Sequence, residues 1–344
     1  MKRILLAACV LVGATVHAQI HLTPVEAIPI PGNQDGVIDL QFILEPSPYH
    51  GPSIVLLTEV EAWIPRAEKD QFEKLFDPII AGVRLNRDAR GVYDPIAQTY
   101  YYAGGTFDAR IYAYSPRFGV VTNGGSDGQG MTELGDMPAG FAVRNGTGEI
   151  FASFGGDPDH YIPTSPALYR YTIGTDTEIT GTAFGNSGPG AVSSQVGAIV
   201  IGPDGKLNVL DAGLEKILRY DLDTLEYIDS ITLFNETIDN RSFAISSTGY
   251  VFVSDDTSLS GSIYDYVTGA LVGTYAAPNT GAYGLGRLAM TADDFGNVYW
   301  TNVNVSRNLE VFSTASIPEP AHLGLVAGGL LAGIALLRRW LPQK

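Results

Sequence analysis

Short apolar stretches separated by polar turns recur along the middle of the chain. In each of four segments, an apolar stretch leads into a polar turn that ends in glycine, and a second apolar stretch ends in a small or acidic residue. This pattern is typical of a β-hairpin. The four segments are FAVRNGTGEIFAS from Phe141, AIVIGPDGKLNVLD from Ala198, FAISSTGYVFVSD from Phe243 and LAMTADDFGNVYWTN from Leu288.

Further strands extend these hairpins into repeated sheets. Three copies continue into a third strand, two of those continue into a fourth, and two weaker copies lie upstream. The turn positions are Gly51, Gln98, Gly148, Gly205, Gly249 and Gly296. Four-stranded units that repeat at roughly 40 to 50 residues are typical of propeller blades. The pattern predicts an all-β fold, a β-propeller of six four-stranded blades over residues 20–316.

Two segments stand outside the repeat. The last copy, which ends near Thr314, lacks an outer strand, and we expect the segment from Leu22 to Ile30 to supply it and close the ring. The stretch from Arg66 to Phe76 is charged, with Phe72, Leu75 and Phe76 at helical spacing. It predicts a short helix on a loop of the first blade.

The body resembles the NHL-type and related six-bladed propellers. The resemblance rests on the stretch GPDGKLNVLDAGLEKILRYDLDT, from Gly202 to Thr224, and on its partial copies. It is a likeness of fold, and such folds include binding proteins, lactonases and dehydrogenases.

Composition narrows the classes of function. The chain has a formal net charge of −16. Without the five basic residues and one glutamate of its two ends, the body has 16 basic against 36 acidic residues and a net charge of −20. Such a surface repels phosphate backbones, so we expect no nucleic-acid partner. The one cysteine, Cys9, lies near the N-terminus, which excludes disulfides and cysteine-ligated zinc from the body.

The N-terminus has the pattern of an export signal. Lys2 and Arg3 precede an apolar stretch from Ile4 to Val16, and Val16-His17-Ala18 places small or apolar residues at the cleavage positions. This predicts a signal peptide over residues 1–18, handled by the Sec export machinery. The alternatives are a retained membrane anchor and a lipoprotein signal that ends at Cys9.

The C-terminus combines a short motif, an apolar span and basic residues. The motif is Pro318-Glu319-Pro320, and Arg338 and Arg339 follow the span. The predominantly apolar segment of 17 residues, 321–337, predicts a transmembrane helix in the inner membrane, with the arginines on the cytoplasmic side. The alternative is a plain C-terminal anchor with a chance Pro-Glu-Pro.

Residues 317–344 closely resemble the PEP-CTERM sorting signal of Gram-negative bacteria. The resemblance rests on Pro318, Glu319, Pro320, Arg338 and Arg339 in their order around the Gly-rich span. It implies a membrane-anchored precursor that an exosortase recognises, with removal of the tail. It also implies export across the inner membrane to the cell surface or extracellular matrix, in bacteria that produce exopolysaccharide.

Polar residues at the starts of the predicted inner strands are the candidate ligand-binding residues. Arg90, Arg241 and Arg287 lie 8, 8 and 9 residues before their turn positions, and Gln195 lies ten before Gly205. In a propeller this register faces the central channel or its mouth. We expect the arginines to bind a carboxylate, a sulfate or a uronic acid. The alternative is that each pairs with a nearby carboxylate and shapes the channel.

Metal sites have weaker support in the sequence. His21, His50 and His160 have no second histidine or cysteine at metal-ligand spacing. Calcium is the one cofactor left open, because Asn33 to Asp39 resembles part of a calcium loop. Ordinary turns are the alternative there and at four acidic pairs: Asp157/Asp159, Asp221/Asp223, Asp255/Asp256 and Asp293/Asp294.

These patterns favour a propeller without enzymatic activity that binds an extracellular polysaccharide or another surface component. The alternative is a lactonase-like hydrolase with a metal in its central channel, which needs convergent Glu, Asn and Asp side chains. A further hypothesis is a protein with a purely structural role in a surface coat.

Overall fold

The fold is known from a computed structural model of the chain. It describes residues 20–30, 37–43, 53–58, 62–65, 72–76, 90–97, 99–104, 110–115, 119–120, 132–133, 138–154, 167–173, 179–234, 238–255, 260–276, 288–302 and 308–317. The predicted signal peptide, sorting motif and transmembrane helix lie outside these residues. No helix within them is long and apolar enough to cross a membrane.

Strands make up almost all of the described elements. The N-terminal segment and the first two sheets contain β1 (Ile20–Leu22), β2 (Glu26–Pro29), β3 (Val37–Ile43), β4 (Ser53–Thr58), β5 (Ala62–Pro65), β6 (Phe72–Phe76), β7 (Arg90–Asp94), β8 (Thr99–Gly104), β9 (Arg110–Ser115), β10 (Gly119–Val120) and β11 (Thr132–Glu133). The third and fourth sheets contain β12 (Gly140–Arg144), β13 (Glu149–Phe154), β14 (Ala167–Ile173), β15 (Ile179–Phe184), β16 (Val196–Ile201), β17 (Leu207–Asp211), β18 (Lys216–Tyr220) and β19 (Tyr227–Thr232). The last two contain β20 (Ile238–Ile245), β21 (Tyr250–Asp255), β22 (Ser260–Asp265), β23 (Leu271–Ala276), β24 (Leu288–Ala292), β25 (Asn297–Asn302) and β26 (Asn308–Ser313), and a 3₁₀ turn (Thr314–Ser316) follows.

The sheets are arranged around a ring. Within the described residues the strands form six sheets, which begin with β3, β7, β12, β16, β20 and β24. Their first strands approach one another in that order, and β24 approaches β3. In each sheet, the four strands that lie side by side pair antiparallel, with β2 as the fourth strand of the sixth sheet. The prediction of an all-β propeller is therefore confirmed.

Apolar side chains between neighbouring sheets hold the ring together. In the fourth sheet every residue of β17 is buried, whereas the outer strand β19 is half exposed. This difference arises because a middle strand packs on both faces, while an outer strand reaches the rim. Buried clusters lie between the second and third, third and fourth, fourth and fifth, and fifth and sixth sheets.

The N-terminal segment closes the ring as predicted. β2 pairs antiparallel with β26 and gives the sixth sheet its outer strand. In addition, β1 pairs parallel with β23, the outer strand of the fifth sheet, so residues 20–30 connect two neighbouring sheets. Leu22 and Ile28 are buried there, and Leu22 shares a cluster with Ile317, where the described chain ends.

The helix predicted from Arg66 to Phe76 is wrong over its described part. Phe72–Phe76 forms β6 and pairs with β5. The pair Phe72 and Phe76 fits a helical period and a strand alternation equally well, so five residues could not separate the two. Pairing with β5, which satisfies the backbone, decides for the strand.

The predicted turn glycines have the backbone that the turns require. Gly148, Gly205, Gly249 and Gly296 have φ between +72° and +85°. In the fifth sheet the amide of Gly249 donates to the carbonyl of Ser246 at 3.0 Å, and the amide of Ser246 donates to the carbonyl of Tyr250 at 2.8 Å. This is a tight turn closed by a left-handed residue, a common hairpin connection.

Candidate functional site

A cavity of about 790 Å³ runs along the centre of the ring. The first strands of all six sheets contribute to its wall, through residues such as Gln41, Val92, Ala142, Val200, Ala244 and Thr291. Most of the side chains along the wall are small or apolar, whereas charged side chains lie near the two ends. Its volume falls within the range of about 300–1,000 Å³ that is usual for ligand pockets.

The two ends of this channel differ in the charges that line them. We call the end where the first strands begin the arginine end, because Arg90 lines the cavity there. We call the opposite end, where the turns to the second strands lie, the turn end. Asp204, Asp221, Asp223, Asp293 and Asp294 line the cavity at the turn end, together with Arg144.

Arg90 opens β7 and is half-buried. Its Nε donates to the backbone carbonyl of Ala139, just before β12, at 3.0 Å. Arg90 therefore contributes to the junction between the second and third sheets as well as to the channel wall. Ligand binding by Arg90, and the alternative that it pairs with a nearby carboxylate, both stay predictions.

The other three predicted ligand-binding residues are not among the described residues that line the cavity. Gln195 immediately precedes β16 and is exposed. Arg241 lies within β20, at the position where the pairing with β21 shifts register. Arg287 lies outside the described residues, directly before β24. Arg90 is thus the predicted residue whose side chain is seen at the channel.

Arg144 links two sheets at the turn end. It ends β12, and its guanidinium contacts Asp223 of the fourth sheet at 2.7 Å and Glu149 of its own sheet at 3.2 Å. The hydrogen bonds with Asp223 and Glu149 raise the pKa of Arg144 above its ordinary value. The positive charge of Arg144 is therefore shared between two carboxylates, and the turn end keeps a surplus of negative charge.

Hydrogen bonds hold the aspartates of the turn end in place. Asp221 accepts the amides of Asp223 and Thr224 at 2.9 and 2.8 Å, and the hydrogen bond from Thr224, followed by that from Asp223, lowers its pKa. Asp293 is buried and accepts the amides of Phe295 and Asn297 at 2.9 and 2.7 Å. These two aspartates act as turn caps.

Asp204 belongs to a polar link between the fourth and fifth sheets. It contacts Lys206 at 2.7 Å and accepts the hydroxyl of Tyr266 at 2.7 Å. Partial burial raises the pKa of Asp204, but the hydrogen bonds from Lys206 and Tyr266 outweigh burial, so the net shift is downward. Tyr266 also lies beside Arg219, whose guanidinium is 5.2 Å from its ring centroid.

The calcium hypotheses find no metal site in the part of the chain that is described. No group of three His, Cys, Asp or Glu side chains there could hold a metal ion. Asp221 and Asp293 cap turns, and Asp255 ends β21. Most of Asn33 to Asp39, both Asp157 and Asp159, and Asp256 lie outside the described residues.

Sequence reasoning missed the polar side chains that tie neighbouring sheets. The side chain of Gln41 in β3 makes two hydrogen bonds with the backbone of Tyr93 in β7. It donates to the carbonyl at 2.8 Å and accepts from the amide at 2.5 Å. Asp94, fully buried, accepts the amide of Gly146 in the next sheet at 2.7 Å. Both ties join residues 52 positions apart, so they depend on the stacking of the sheets.

Comparison with known proteins supports the fold alone. The chain is similar to a solved structure of a streptogramin B lyase, with a TM-score of 0.51 and 12% sequence identity over 84% of this chain and 86% of that chain. No protein-family model matches, and no curated protein matches. At this identity the likeness shows a β-propeller and leaves activity open.

Proposed function

We propose that this protein is an exported surface or matrix protein whose six-bladed propeller binds an acidic polysaccharide at the arginine end of its channel. The observation that carries the proposal is the position of Arg90 on the wall of a cavity of about 790 Å³. The six sheets of the described residues support a six-bladed ring as the binding unit.

The different charges at the two ends of the channel favour entry of an acidic ligand at the arginine end. A guanidinium pairs with carboxylate or sulfate through two parallel hydrogen bonds. Arg241 and Arg287 precede their turn positions by 8 and 9 residues, close to the 8 residues for Arg90. The surplus of aspartates at the turn end repels an anionic polymer. An acidic sugar therefore meets the channel from the arginine end, where it finds positive charge in an otherwise acidic body.

Export and sorting form the second part of the proposal. The N-terminal charge and apolar stretch support secretion, and Pro318, Glu319, Pro320, Arg338 and Arg339 support exosortase sorting. β1 begins at Ile20, two residues after the proposed cleavage at Ala18, so cleavage there leaves the closing strand intact.

A change of Glu319 to Ala should prevent sorting, measured as loss of the processed protein from the cell surface.

Calorimetric titration with the organism's own exopolysaccharide tests the binding function. The protein without its signal and tail should bind saturably, and Arg90→Ala should weaken binding by about tenfold, as expected for loss of one charged hydrogen bond. Arg144→Ala removes the same charge from the turn end and is the matched control. Equal affinity of Arg90→Ala, and of a variant with Arg90, Arg241 and Arg287 all changed to Ala, would rule out the arginine end.

The same preparation tests the alternative of a channel-metal hydrolase. Metal analysis of the purified protein and turnover of lactone and ester substrates should both be negative if the protein only binds. Stoichiometric metal together with turnover would replace the binding proposal.

A further inference from the structure

The turn between β12 and β13 contains an Asn-Gly dipeptide at the turn end of the channel. Asn145 lines the cavity and is exposed, and Gly146 follows it. In an Asn-Gly pair, the glycine amide nitrogen can attack the asparagine side chain, because glycine has no Cβ to hinder the approach. This pair is therefore a candidate for spontaneous deamidation.

The reaction needs only water. The Gly146 nitrogen loses its proton and bonds to Cγ of Asn145, ammonia leaves, and a five-membered succinimide forms. Water then opens the ring at either carbonyl and gives aspartate or isoaspartate at position 145. One side-chain amide is exchanged for one carboxylate, with no oxidant or reductant.

A hydrogen bond to a neighbouring sheet engages the nitrogen that would attack. The amide of Gly146 donates to Oδ2 of Asp94, from the second sheet, at 2.7 Å. Asp94 is itself fully buried, and its Oδ1 accepts the amides of Ile96 and Ala97 at 2.9 and 3.0 Å. The side chain of Ile96 also lies beside Gly146, on the side where a Cβ would stand, so the second sheet contacts this glycine through both Asp94 and Ile96.

We propose that Asn145 is a latent deamidation site, and that the Asp94 carboxylate keeps it unreacted by holding the Gly146 amide. Release of that hydrogen bond, by separation of the second and third sheets, allows the reaction. The product adds a carboxylate next to Arg144, which already shares its charge between Asp223 and Glu149. Deamidation therefore makes the turn end more negative. Because the product is permanent, it marks molecules in which the second and third sheets have separated at this turn.

Peptide mapping by mass spectrometry after incubation of the purified protein at mildly alkaline pH tests the proposal. Asp94→Asn keeps an oxygen for Ile96 and Ala97 but loses the acceptor for Gly146, so deamidation at Asn145 should accelerate about tenfold. Asp265→Asn is the matched control, because Asp265 accepts the amides of Val267 and Thr268 in the same way, in another sheet. Its rate at Asn145 should equal that of the wild type.

Hydrogen exchange at the Gly146 amide provides a second readout that does not depend on deamidation. Exchange should be slow in the wild type and fast in Asp94→Asn. Equal exchange, or equal deamidation rates, in the two proteins would overturn the proposal. Acceleration in Asp265→Asn as well would overturn it too, since general destabilisation would then be the cause.

Discussion

At the scale of single residues, the first turns of the sheets depend on left-handed glycines. Gly249 has a φ of +84° and open space where a Cβ would stand. A side chain at this position therefore meets no clash, and its cost comes from the backbone conformation alone. This separates conformational strain from packing more cleanly than a glycine in a close contact would.

Replacement of Gly249 measures that strain. Gly249→Ala should lower the free energy of unfolding by about 1 kcal/mol. Gly249→Asn should lose less, because asparagine tolerates the left-handed region better. Denaturant unfolding of both variants checks this, and equal losses would contradict the conformational explanation.

Acid should weaken the link made by Asp204. Because its pKa in the folded protein is lowered from 3.8, its stabilising contribution is complete above that value and is lost as the pH falls below it. Asp204→Asn should therefore be less stable than the wild type at pH 7, by less than about 1 kcal/mol for so exposed a pair. The difference should shrink in acid. Asp294→Asn, at the same end of the channel, is the control, and a difference independent of pH would refute the link.

The sequence could predict the residues whose conformation depends on their neighbours along the chain. A glycine that ends a polar turn is visible in the sequence, and all four described turn glycines have positive φ. Asp94 and Gln41 carry no such signal, because their partners are set by the stacking of sheets. Gln195 was placed by counting back from Gly205, but the pairing of β16 shifts between Val196 and Ile199, so a fixed count does not give a fixed position.

At the scale of elements, the N-terminal segment adds one strand to each of two neighbouring sheets, the fifth and the sixth. The sequence predicted an outer strand for the sixth sheet because the last copy had only three. It did not predict β1 on the fifth sheet, since that sheet already had four strands of its own. The helix predicted from Arg66 to Phe76 is wrong over Phe72–Phe76, because strand pairing with β5 outweighed a short local pattern.

Loss of the packing under this segment should destabilise the ring. Leu22 is 5% exposed and packs in the cluster between the fifth and sixth sheets, so Leu22→Ala should cost about 3 kcal/mol. Val25, in the same segment, is 67% exposed, and Val25→Ala should change stability by less than about 0.5 kcal/mol. Thermal unfolding compares the two.

Deletion of Leu22 to Ile30 removes β2 and the buried last residue of β1, and it should lower the melting temperature further than Leu22→Ala does. An unchanged melting temperature after the deletion would show that the ring does not need this closure.

At the scale of the whole molecule, the channel has opposite charges near its two ends. The turn end has five aspartates and Arg144 along the cavity, and the other end has Arg90. The repeat predicted the ring, and the starts of the inner strands predicted Arg90 at the channel. The charge of the turn end could not be predicted, because its aspartates come from two kinds of turn in different sheets.

The most direct test of the binding proposal is a structure of the protein with an oligouronate bound. The account predicts a sugar carboxylate at the arginine end, within hydrogen-bond distance of the Arg90 guanidinium, and none at the turn end. A sugar bound among the aspartates of the turn end, or on the outer surface of the ring with the channel empty, would contradict it.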